Sequence, residues 1–99
     1  MRLTSEQIAA IKRAVAENFG PEARVRLFGS RTDDNKRGGD IDLLIRPGAL
    51  PSDQRLMQKI RFLGQLERAL GERKVDVVIE GEDDHRPIVQ AARETGVDL

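Results

Sequence analysis

The chain has 99 residues, 38% hydrophobic and 34% charged, and its 17 basic and 17 acidic side chains cancel to a formal net charge of zero. That length holds a single core, so one domain is expected over residues 1–99. Zero net charge, no Trp or Tyr and only three Phe argue against nucleic acid as a partner, and the lack of Cys excludes disulfides and thiolate metal sites and fits a reducing cytoplasm. No apolar run approaches membrane-spanning length, so no membrane association is expected.

Thr4-Ser5-Glu6-Gln7 reads as a capping box. Ile8, Ile11, Val15 and Phe19 then follow helical spacing, and Gly20-Pro21 stops the helix. A strand is predicted over about 24–28, a polar loop over 32–39, and a second strand from Asp40 to about Arg46, closed by Pro47-Gly48. Pro51-Ser52 opens a longer helix with Ser52 as its cap and an apolar stripe of Leu56, Ile60, Leu63, Leu66 and Leu70; Gly71 ends it. Met57 and Phe62 lie off that stripe and widen the apolar face, as extra core or as a protein interface. Lys74 to Glu80 is too β-branched for anything but a third strand. After a short acidic loop, Pro87 suits the first position of a last helix ending near Thr95-Gly96. The order α-β-β-α-β-α predicts an α/β (α+β) fold, a small mixed sheet with helices packed on one face.

Three features carry chemistry. Gly29-Ser30-Arg31 follows the first strand as a small-residue turn of the kind that holds phosphate. Asp40 and Asp42 open the second strand, and residues two apart on a strand share a face. Carboxylates set side by side repel unless a cation lies between them, and oxygen-only ligands suit Mg²⁺ or Mn²⁺. Asp76 is the only charged residue inside the third strand, a costly position unless it is paired or metal-bound. If the third strand lies beside the second, the three aspartates can bind two Mg²⁺ ions roughly 3.5–4 Å apart.

Phe28-Gly29-Ser30-Arg31, Gly38-Gly39-Asp40-Ile41-Asp42-Leu43-Leu44-Ile45 and Val75-Asp76-Val77-Val78-Ile79, in that order, resemble the nucleotidyltransferase superfamily of DNA polymerase beta, and within it the minimal nucleotidyltransferases (MNT proteins). The resemblance spans roughly residues 3 to 96. It implies a polymerase beta-like fold in which Asp40 and Asp42 carry both metals, and Asp76 holds the catalytic metal and helps take the acceptor's proton. Gly29, Ser30, Arg31 and Gly39 would bind the nucleotide. The implied reaction is attack of a hydroxyl on the α-phosphorus of a nucleoside triphosphate, with ATP the expected donor. Minimal members are typically encoded beside a helical HEPN-type protein, and several act as antitoxins that adenylylate a tyrosine on it. Unlike larger members, these 99 residues leave no room for an extra domain that binds a template, primer, tRNA or antibiotic, so the acceptor is expected to come from elsewhere.

Plainer readings stand beside these. Asp40 can simply close a Gly-Gly-Asp turn, Asp42 and Asp76 can face water, and Gly29-Ser30 can be an ordinary turn. Arg31 can be solvated beside Asp33 and Asp34; Lys36, Arg37, His85 and the cluster Glu80, Glu82, Asp83 and Asp84 read as surface. The rival function is a non-catalytic binding module that neutralises a partner protein by covering it.

Overall fold

In the computed structural model, which describes residues 3–29, 41–48, 52–71 and 73–99, the chain enters its first helix, α1 (Ser5–Phe19), through the predicted capping box. The Gln7 backbone N–H donates to Thr4 Oγ1 at 3.1 Å, and the Thr4 N–H donates to Gln7 Oε1 at 2.8 Å. Gly20, at φ 106°, ends α1 in a conformation that favours glycine. Strands β1 (Arg24–Phe28) and β2 (Ile41–Arg46) pair antiparallel, and β2 is closed onto α1 by the Gly48 N–H donating to the Phe19 carbonyl at 2.9 Å.

A 3₁₀ turn over Ser52–Gln54 leads into α2 (Arg55–Leu70), and Gln54, not Ser52, holds the cap position, with no side-chain bond to it. The helix crosses back so that β3 (Val75–Ile79) pairs parallel to β2. Pro87 starts α3 (Pro87–Thr95), as its missing N–H allows. A short strand that the sequence reading did not anticipate, β4 (Val97–Asp98), then pairs antiparallel with β1. The described residues thus form three α-helices and a mixed four-stranded sheet in the order β3-β2-β1-β4.

Alternation divides the sheet's two faces. Ile41, Leu43 and Ile45 of β2 are fully buried in the main core with α1 and α2. Phe19 and Phe62 meet there edge to face at 5.4 Å between ring centroids. The face α2 turns inward matches the expected stripe in its second half, where Leu66 and Leu70 are buried and Leu63 packs against the core, and departs from it in the first: Phe62 and Gln58 are buried, whereas Leu56 and Ile60 are 70% and 52% exposed and Met57 is 50% exposed. The reason is the Phe19–Phe62 contact, which buries a ring and sets the helix's rotation. The two long helices keep to one face. The short α3 covers the apolar positions that alternation leaves on the other, where Val89 and Ala92 pack on Phe28 and Leu44, with Val78 against them.

Candidate active site

The acidic face is built by the start of β2, the start of β3 and the end of β1. Ile41, Leu43 and Ile45 point into the main core, so Asp42 between them points out; Val75 and Val77 leave Asp76 outward in the same way. Asp42 and Asp76 are direct register partners on parallel strands, and Phe28 is the partner of Asp42 on β1. Neighbouring strands lie about 4.8 Å apart, so the two carboxylates stand side by side. Asp42 is half-buried and Asp76 exposed.

Gly29 completes this corner. Its φ of +71° lies in the left-handed region, and a Cβ there would sit 2.6 Å from Asp42 Oδ2. The turn therefore favours glycine, and a side chain there would have to push the Asp42 carboxylate aside. Ser30, Arg31, Gly39 and Asp40 lie outside the described residues. Among the described residues no group of three or more His, Cys, Asp or Glu could hold a metal, and the third expected carboxylate, Asp40, is not among those residues. The donor set nevertheless fits a hard divalent cation: two adjacent carboxylates supply only oxygen, and their mutual repulsion falls when a cation joins them.

Other features escaped the sequence reading. Glu80, taken for a loop acid, is buried, with the Arg93 guanidinium on its carboxylate and Arg46 Nε at 4.0 Å. Asp84 is no solvated charge either. It accepts from the Gly81 N–H at 2.9 Å and from Arg86 Nη2 at 2.7 Å, and Arg86 Nη2 also donates to the Ile79 carbonyl at 2.8 Å. These bonds fold the β3–α3 connection into a tied turn. The Arg86 guanidinium, and then the Gly81 N–H, hold the Asp84 carboxyl well below the usual carboxylate range. His85 is exposed, as expected. A large depression of about 1050 Å³ lies away from the aspartates, at the far end of the sheet, between Arg46, Glu80, Arg93 and the acidic turn.

No helix among the described residues is long and apolar enough to cross a membrane. Among curated proteins none matches the chain significantly. The model of one family, described as the nucleotidyltransferase domain, does match: it spans residues 8–96, from the first half of α1 to the end of α3 and across the whole acidic face, and the chain belongs to that family.

Proposed function

We propose that the chain is a metal-dependent nucleotidyltransferase that moves AMP from ATP to a protein hydroxyl. Nucleotidyl transfer itself follows from the family, whose members generally use divalent metals and take a nucleoside triphosphate as substrate. The observation that carries the reading is the register pairing of Asp42 with Asp76 beside a glycine whose missing side chain makes room for the Asp42 carboxylate. Asp40, Asp42 and Asp76 would hold two Mg²⁺ ions, or Mn²⁺, which when bound supply charge neutralisation on the phosphates. Gly29, Ser30, Arg31 and Gly39 would position the triphosphate. The acceptor oxygen bonds to the α-phosphorus, the bond to the bridging oxygen breaks, and pyrophosphate leaves. The acceptor's proton passes towards the Asp76 carboxylate, exposed at the mouth of the site. The proposed acceptor is a tyrosine of a HEPN-type helical partner, which would make the chain an antitoxin acting in the cytoplasm as one domain over residues 1–99.

The test is thermal unfolding with Mg²⁺, with ATP and with both, on the parent and on Asp42→Asn. A rise that needs both ligands and vanishes in Asp42→Asn supports the site. Transfer of labelled AMP by Asp42→Asn would refute it.

A second reading is favoured by the exposed Leu56, Met57 and Ile60 on α2, beside the basic Lys59 and Arg61: neutralisation of a partner by binding alone. It expects an Asp40/Asp42/Asp76 triple variant to neutralise the partner fully. A triple variant that binds the partner without neutralising it excludes this reading.

A further inference from the structure

Beyond α3, at the end of the sheet away from the aspartates, the same face carries a cluster that nucleotidyl transfer does not use. Arg24, Arg26, Arg46 and Arg93 line a cleft of about 510 Å³ together with Glu80 and Asp98, and Leu44 also lines it. Four guanidiniums against two carboxylates leave a positive surplus. Arg46 lies four residues along β2 from Asp42, roughly 13 Å at strand rise, so the two ends of the face are separate places.

The four arginines are not equivalent. Arg26 is anchored: Nη1 donates to Asp98 Oδ1 and Nη2 to the Gly96 carbonyl, each at 2.8 Å, and its Nε is buried with no hydrogen-bond partner among the described residues. Gly96 is needed for this approach, since a Cβ there would lie 3.2 Å from Arg26 Nε and 2.4 Å from the Ala92 carbonyl oxygen. Arg93 is anchored on the buried Glu80. Arg24 and Arg46 are direct register partners across the antiparallel β1–β2 pair, both exposed. Like charges placed directly opposite destabilise a sheet. Glu80 reaches Arg46 only at 4.0 Å, and among the described residues no carboxylate pairs with Arg24. Two fixed guanidiniums thus flank two whose charge has little local compensation. Such planar forks match phosphate oxygens two at a time.

We propose that this cleft binds a compact, multiply charged phosphate group, at a site separate from the triphosphate. A compact ligand fits better than an extended polyanion. The adjoining depression shares Arg46, Glu80 and Arg93 and adds Arg55 and His85 but also Glu82, Asp83 and Asp84, so on that side a chain of phosphates meets no surplus of positive charge. The inference does not depend on the transfer reaction.

The experiment is a titration of the full chain with inorganic pyrophosphate in EDTA, followed by amide chemical shifts. Saturable shifts at Arg24, Leu44, Arg46 and Arg93 are expected. Arg24→Gln/Arg46→Gln should weaken the binding roughly tenfold or more, and Asp42→Asn should leave it unchanged. Both arginines are exposed, so the double variant keeps its fold; its ligand-free form should melt at a higher temperature than the parent. Should it fail to fold, Arg24→Gln alone carries the same comparison. Unchanged affinity in the folded variant, shifts confined to Gly29 and Asp42, or an equal response to sodium chloride at matched ionic strength would overturn the proposal. So would a single-stranded oligonucleotide that binds more tightly than pyrophosphate through the same arginines.

Discussion

Gly29 and Asp42 act as a pair. Gly29→Ala places a Cβ 2.6 Å from Asp42 Oδ2 on a backbone at φ +71°, two penalties at one position. We expect it to lose about 1–3 kcal/mol in urea unfolding. In an Asp42→Ala background the contact is gone and only the backbone strain is left, so the cycle should show a coupling of about 0.5 kcal/mol or more. Asp42→Asn behaves oppositely: it relieves repulsion with Asp76, so the metal-free protein should melt no lower than the parent, while nucleotide transfer falls by at least about 100-fold. Much of this corner was legible before the structure. Alternation sets Asp42 apart from inward-facing Ile41 and Leu43, but Asp76 reads as a carboxylate in a buried-type strand, with exposure to water as the plainer alternative, and it is exposed. The parallel register that joins them was not legible, because it depends on where α2 returns the chain. Nor does any sequence signal give the distance from Gly29 to the carboxylate.

Among elements, α2 shows how two overlapping stripes defeat periodicity. The predicted stripe Leu56-Ile60-Leu63-Leu66-Leu70 and the spacing Gln58-Phe62-Leu66-Leu70 share their last two members, and at the start of the helix the inward place goes to Phe62, the larger side chain with an aromatic partner. Phe62→Ala should therefore cost about 3–5 kcal/mol, whereas Leu56→Ala should change stability by less than about 0.5 kcal/mol; chemical denaturation separates them. β4 was missed because two residues carry no pattern; it is held by backbone pairing with β1, extended by the Leu99 N–H donating to the Val25 carbonyl at 3.0 Å, with the Arg26–Asp98 ion pair beside it. The turn before α3 makes a pH-dependent prediction. The folded carboxyl of Asp84 titrates below its unfolded value, because the Arg86 guanidinium and the Gly81 N–H favour the charged form. Its stabilisation is thus complete above the unfolded value, near about pH 4, and is lost as pH falls below that. The melting-temperature gap between the parent and Asp84→Asn should be widest near neutrality and close towards pH 2.

For the whole molecule, zero net charge hides a clustered distribution: Asp42 and Asp76 stand together at one end of the outer face, and Arg24, Arg26, Arg46 and Arg93 gather with Glu80 and Asp98 at the other. Composition alone could not reveal this, because a sum discards position. A ligand held only by the folded chain at about 100 times its dissociation constant adds roughly 2.7 kcal/mol, several degrees for a domain of this size. Mg²⁺ with ATP should produce such a shift in the parent and in Arg24→Gln/Arg46→Gln alike.

β2 is an inner strand, bonded to β1 on one side and to β3 on the other, and its inward side chains are fully buried. Its amides, those of Leu43 to Ile45 above all, should be the last to take up deuterium, opening only when the entire sheet does. The spacing between Asp42 and Asp76 is fixed by that same ladder, so it cannot loosen ahead of the fold. Thermal loss of activity should then coincide with the cooperative unfolding transition.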